Sequence, residues 1–217
     1  MNFFGHAAVA SWHRCAPEAV FGAMLPDFAS IIRVRLGAVH DAGIARGVAL
    51  HHETDAVFHT SPLFVSLCND AVAQLEARGL PRGSARAVAH VGTELLLDGW
   101  IAAHEGAPAE AYLAAIAVDD ERVMGAVELR RPDGTKRLRW LLDRLRQHGV
   151  PHRYREPSFV ADRLAGALEG RPRLRLTAAG RASVADWLEG WRARVDLDAS
   201  GLLAQVRERL PRRAAGA

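Results

Sequence analysis

Several things are scarce in this chain. Cysteine occurs twice in 217 residues, as Cys15 and Cys68, with no CxxC pair. That excludes a disulfide framework and fits a reducing compartment, the cytoplasm by default. Lysine occurs once, as Lys136, so the basic charge is almost entirely arginine. No apolar run reaches the roughly 20 residues that a membrane-crossing helix needs. The opening MNFFGHAAVASWHRC has no leading basic residue and is interrupted by His6; neither a signal peptide nor a membrane span is expected there. Alternating runs of β-branched and aromatic residues, the mark of half-buried strands, are absent as well.

What is present is helical periodicity. Apolar residues recur at three- and four-residue spacing over about 17–24, 42–59, 61–78, 83–104, 108–117, 119–129, 135–148, 158–169, 177–193 and 200–209. The breaks have chemical causes. Ser61-Pro62 suits a helix start, Gly79-Leu80-Pro81 a helix end, Ser84 a cap, and Arg131-Pro132-Asp133-Gly134 a turn. No repeat and no dividing linker occurs. The expectation is all-α: a single-domain helical bundle over residues 1–213 with about 8–10 helices. Residues 1–120 would carry the functional half, and 121–213 the basic helices.

The net charge of +3 hides an asymmetry. Residues 1–120 hold 7 Arg against 13 Asp and Glu, whereas residues 121–217 hold 21 Lys and Arg against 12 Asp and Glu. A basic rear half suits an acidic partner, and a solvated arginine face is the plainer alternative.

The segment GVALHHETDAVFHTSP crowds three histidines, a Glu and an Asp into nine positions. Residues four apart on a helix differ by about 40°, so His51, Asp55 and His59 form one stripe. AHVGTELLLDGW repeats the device with His90, Glu94 and Asp98, threaded through Val91, Leu95, Leu96 and Leu97. Carboxylates on an apolar helix are costly to bury unless paired or metal-bound, and inward-facing Glu and His are how helical metal sites are built. Each stripe spans about 12 Å, too long for one ion. Either neighbouring pairs bind two ions, or one pair binds an ion and the third member handles substrate. Asp27, after Pro26 in an apolar stretch, is a candidate bridging carboxylate. His52 and Glu53 lie off the stripe and are expected to face solvent. His59 could instead complete a helix end electrostatically, Glu94 and Asp98 could line a wet groove, and His6 could be a core histidine. Trp100, Trp140, Trp187 and Trp191 are expected in the core, and His13, His40, His104, His148 and His152 at the surface.

In these residues the chain resembles the acyl carrier protein phosphodiesterases, all-α proteins similar to HD-type metallohydrolases. MNFFGHAAVA is similar to that family's Met-Asn-Phe-Leu-Ala-His opening, with His6 in the histidine position. GAMLPDF resembles Gly-Asn-Leu-Leu-Ala-Asp-Phe and places Asp27. GVALHHETD resembles Gly-Ile-x-x-His-Arg-x-x-Asp and places His51 and Asp55. HRYREPSFV and LAGALEGRPRL resemble later segments and place Arg153, Tyr154, Arg171 and Arg173. Two departures stand out. His59 replaces a second family aspartate. Thr93, Glu94, Leu95 and Leu96 stand where the family has Asp-His-Phe-Leu, with His90 one turn earlier.

The resemblance implies a divalent ion, manganese first and iron or zinc next, held by His6, Asp27, His51, Asp55 and Glu94, with Asp98 added by the stripe. His59 or His90 would serve as second-site ligand or general acid, and Asp55 would sit at the catalytic centre. The implied reaction is phosphodiester hydrolysis releasing phosphopantetheine from an acidic carrier protein, or attack on another small phosphoester. The basic surface would be formed by Arg137, Arg139, Arg144 and Arg146 together with Arg153, Arg171 and Arg173. The alternatives are a non-catalytic relative that binds an acidic protein and, more remotely, a nucleic-acid binder. RLRLTAAGRASVADWL looks superficially like part of a winged helix, but no recognition helix precedes it.

Overall fold

Proline and short polar side chains set the helix starts. In the computed structural model, which describes residues 1–211, Ser61 accepts the Phe64 N–H at 3.3 Å ahead of Pro62. Asp119 accepts the Arg122 N–H at 2.8 Å, and Asp41 accepts those of Gly43 and Ile44 at 2.7 and 3.0 Å. The result is the expected all-α class, with ten α-helices among the described residues. These are α1 (Phe3–Trp12), α2 (Pro17–Ile31), α3 (Ala42–Phe58), α4 (Pro62–Ala77), α5 (Arg82–His104), α6 (Gly106–Ile116), α7 (Asp120–Ala126), α8 (Gly134–His148), α9 (Pro157–Glu169) and α10 (Ala178–Arg209). Residues 212 and 213 of the expected domain lie outside the described residues. Among the described residues no helix is long and apolar enough to cross a membrane.

The chain forms two compact units, each assembled from separate segments. The first takes Met1–Ala56 and Ile101–Pro151, with Leu210 and Pro211. Its centre is α1, in which every residue from Phe3 to Ala10 is buried, against α2 and α6. Small residues Gly5, Ala7, Ala8 and Ala10 let neighbours close in, while Phe3 and Phe4 meet Phe28 and Tyr112 at ring distances of 5.3–6.0 Å. A helix apolar on all sides has no amphipathic period, which is why this one is missing from the expected set.

Three further differences have local causes. Helix α2 runs past residue 24 and through Pro26, because the buried Phe28 and Ala29 beyond it outweigh one lost backbone hydrogen bond. Two short strands exist after all: β1 (Leu36–Val39) pairs antiparallel with β2 (Val127–Leu129), Leu36 opposite Leu129 and Val39 opposite Val127. Three or four residues are too few to show alternation, and β2 takes the residues expected to finish a helix at 129. Trp140 is 59% exposed rather than buried. It sits two residues, about 200°, from the buried Leu138, so α8 turns it outward.

The second unit takes Val57–Trp100 and His152–Arg209. Here α10 packs on α9 and α4. It is one 32-residue helix, not the two expected, because its buried stripe of Val184, Trp187, Leu188, Trp191, Val195, Ala199, Leu202 and Val206 keeps helical spacing across the supposed break. Trp187 and Trp191 are buried as expected and stack at 5.2 Å. Their indole N–H groups donate to Gln74 and to Thr93, each at 3.0 Å.

Glycine allows one close crossing in the first unit. A Cβ at Gly22 would lie 2.1 Å from the Ile44 carbonyl oxygen, and one at Gly47 would lie 2.0 Å from that of Ala19. At Gly190 in α10 a Cβ would meet nothing within 4 Å. Gly47→Ala is therefore expected to lower stability by at least about 2 kcal/mol, and Gly190→Ala to raise it by about 0.5–1 kcal/mol. Urea midpoints of the two variants check both signs.

Candidate metal centres

The first cluster lies in the first unit and depends on that crossing. With α3 drawn onto α2, the His51 Nδ1 comes 2.9 Å from the Ala23 carbonyl oxygen, fully inside the protein. A carbonyl can only accept, so His51 donates Nδ1–H. In the neutral ring the lone pair is then on Nε2, and Nε2 lies 3.4 Å from Asp55 Oδ2. Helix α1 supplies His6, whose ring stacks on that of His51 at 3.9 Å. His6 Nε2 lies 3.3 Å from Asp55 Oδ1 and 3.7 Å from Asp27 Oδ2. Ligand atoms of His6, Asp27 and His51 fall within 4.8 Å of one another, and Asp55 spans the two imidazoles. The Met1 α-ammonium donates to Asp55 Oδ1 at 2.8 Å.

These residues fit a cation. Among the described residues neither ring nitrogen of His6 has a hydrogen-bond partner, although the side chain is fully buried. A lone pair on His51 faces a carboxylate oxygen at a separation close to the roughly 3.4 Å edge of a tetrahedral nitrogen and oxygen ligand set. Burial pushes His6 down to about 3, which keeps it neutral and able to ligate. Burial works the other way on Asp55, yet its carboxyl is held far below the usual range, with the Met1 ammonium donating to it at 2.8 Å. Asp27 and Asp55 keep 22% and 30% side-chain exposure, so the cluster opens on its carboxylate side.

The second cluster lies in the second unit. His59, just past the end of α3, and His90 on α5 both place Nε2 3.0 Å from the same oxygen, Glu94 Oε1. Their rings are 4.8 Å apart, and Phe64 packs against both at 5.6 and 5.3 Å. Burial opposes ionisation of Glu94, yet the hydrogen bonds from His59 and His90 help hold its carboxyl well below the usual range.

The two stripes read from the sequence are thus dealt out differently from the expected facing rows. On α3, His51 and Asp55 join His6 and Asp27, whereas His59 joins His90 and Glu94. Asp98 is fully buried and belongs to neither three-residue group. His52 is exposed, as expected, and Glu53 is half-buried. His40 is at the surface, as expected, and meets Glu128 there at 3.0 Å. The arginines proposed to receive an acidic partner are largely engaged within the protein. Arg137 donates to Asp133 at 2.7 Å, Arg139 to Glu121 at 2.8 Å, and Arg146 to the Ile116 carbonyl at 2.7 Å and to Asp120. Arg153 pairs with Glu156 and lies over the Phe159 ring, while Arg171 and Arg173 are exposed. Sequence reasoning missed the Ala23 carbonyl that orients His51, for which Gly22 and Gly47 were the available signal, and the Phe64 wall of the second cluster.

His6 gives the metal-free protein an acid limit. Unfolded, it takes up a proton below about 6.5; folded, it stays neutral down to about 3. Its contribution is therefore intact above about pH 6.5 and is lost as pH falls toward 3, at up to about 1.4 kcal/mol per pH unit. Urea unfolding of chelator-treated protein between about pH 7 and pH 5 should show this fall, and His6→Asn should flatten it; an unchanged slope in the variant would contradict the assignment.

No protein-family model, curated protein or solved structure matches the chain, so the functional reading is carried by the chemistry of these two clusters.

Proposed function

We propose that the protein is a metal-dependent phosphohydrolase working at the His6–Asp27–His51 centre. The observation that carries this reading is the His51 side chain. Its Nδ1–H is committed to the Ala23 carbonyl while its Nε2 faces Asp55 at 3.4 Å, beside a buried His6 whose ring nitrogens have no hydrogen-bond partner among the described residues. A bound divalent ion would polarise a phosphoryl oxygen and lower the pKa of a bound water. His6 Nε2, His51 Nε2 and Asp27 Oδ2 are the groups that would hold it. Asp55, with one oxygen 3.3 Å from His6 Nε2 and the other 3.4 Å from His51 Nε2, would complete the anionic side of the site. Manganese is the ion the resemblance implies, and two imidazoles with carboxylates also suit iron or zinc.

The substrate class is a phosphoester. The resemblance specifies the phosphopantetheine diester of an acidic acyl carrier protein, in a cytoplasmic setting that the low cysteine count of two supports. A second reading, in which the protein binds an acidic partner without turning it over, draws on one feature. Trp140 stands exposed on the basic helix α8 with the Arg144 guanidinium 5.9 Å from its ring centre.

Metal analysis followed by assays on bis-p-nitrophenyl phosphate, p-nitrophenyl phosphate and holo-acyl carrier protein tests both readings. Hydrolysis is expected to stop with chelator, return with Mn²⁺, and drop by about 100-fold or more in Asp27→Asn. Metal-replete protein inert on all three would overturn the hydrolase. Carrier-protein capture that ignores chelator but fails in Trp140→Ala would establish the binding reading in its place.

A further inference from the structure

The hydrolase reading makes no use of His59, His90 and Glu94. Three things about them need a common cause. Two imidazole nitrogens from different segments converge on a single carboxylate oxygen, each at 3.0 Å. The carboxylate is set deep, at 10% side-chain exposure, while the imidazoles keep 33% and 44%. An aromatic wall of Phe64, with Phe58 beside His59 at 5.3 Å, closes one side of the cluster.

We propose that His59, His90 and Glu94 form a second metal centre, which binds its own divalent ion of the zinc, cobalt or nickel class. The ligand atoms of the three residues lie within 4.8 Å of one another. In a tetrahedral site with bonds of about 2.0–2.1 Å, neighbouring ligand atoms stand about 3.4 Å apart. The two nitrogen–oxygen separations would need to widen by roughly 0.4 Å, within the reach of side-chain torsions alone.

The chemistry of the donors selects the ion. Two neutral imidazoles and one carboxylate are a borderline set that favours first-row transition ions over magnesium or calcium, which prefer all-oxygen ligands. Each imidazole now presents Nε2 as donor to Glu94. Moving its proton to Nδ1 frees the Nε2 lone pair without changing the charge of the ring. Helical spacing pre-sets half of the site, since His90 and Glu94 are one turn apart on α5. Three protein ligands leave a fourth position, and the exposed imidazole side is where water or a small anion would take it.

The centre shares no residue with the His6 cluster, so ion counting can test it apart from any hydrolase activity. The full-length chain is stripped with chelator and titrated with Co²⁺, following its visible absorption and the bound metal per chain. Wild type is expected to take two equivalents. His59→Ala/His90→Ala should take one, and His51→Ala should take one at the other centre. His90→Gln, at a half-exposed position that the fold tolerates, should weaken the affected site by about 100-fold. Full stoichiometry with unchanged affinity in both the double variant and His90→Gln would overturn the proposal. So would loss of every bound ion in His51→Ala, or no cobalt bound by wild type.

Discussion

The close crossing of α2 and α3 is the constraint on which the first cluster depends. Gly22 and Gly47 remove the two Cβ atoms that would collide with opposing backbone at 2.1 and 2.0 Å. Only at that separation can the Ala23 carbonyl take the His51 Nδ1 proton at 2.9 Å. That bond fixes the tautomer of His51, and the tautomer decides whether Nε2 meets Asp55 as a donor or as a lone pair. One backbone contact therefore reaches through a hydrogen bond to the ligating character of a nitrogen. The glycines lower the intrinsic helix propensity, and the crossing they permit is what the cluster needs.

Much of this was legible in the sequence, and the limits are physical. Within one helix the spacing rule worked: His51 with Asp55, and His90 with Glu94, meet one turn apart at 3.4 and 3.0 Å. Asp27 and His6, marked by carboxylate and imidazole inside apolar stretches, do sit with His51. Between helices the rule is silent. Whether His59 turns toward His51 or toward His90 depends on where α3 ends, and a single turn of helix changes a residue's neighbours completely. Helix α1 could not be read, since a segment buried on every face has no polar side to betray its period. The β1–β2 pair escaped notice for the opposite reason, being too short to have a period at all.

The basic charge of the rear half shows why a count of arginines is not a docking surface. Arg137, Arg139 and Arg146 spend their guanidinium hydrogens on Asp133, Glu121, Asp120 and backbone carbonyls of the same unit. This pairing leaves the net excess unchanged, but it engages these particular arginines and ties α7 and the turn before α8 to α8 itself. An incoming acidic partner would have to compete with these bonds, and exposed ion pairs are weak enough individually to be exchanged. Trp140 is different. It keeps 59% of its surface exposed, so covering it would add apolar burial that the free protein does not have.

The two clusters share a thermodynamic logic that an apolar core lacks. Burying imidazole and carboxylate costs solvation that van der Waals packing does not return. His6 keeps its neutral form against an acid medium only because charging it inside the protein is worse. Glu94 is held well below the usual carboxyl range in a buried place, and the two imidazoles that converge on it contribute to that. In the first cluster a His51 lone pair faces a carboxylate oxygen at 3.4 Å, and in the second two N–H groups share one Glu94 oxygen, so hydrogen bonds offset only part of the cost. A cation that replaces those hydrogen bonds with shorter, stronger ligand contacts would return the missing solvation to all members of a cluster at once. Because such an ion binds the folded arrangement and not the separated side chains, its binding free energy is added to folding. The same polar residues that make the apolar helices locally less stable would then make the folded chain more stable whenever the metal is present, with each cluster acting on the unit that contains it.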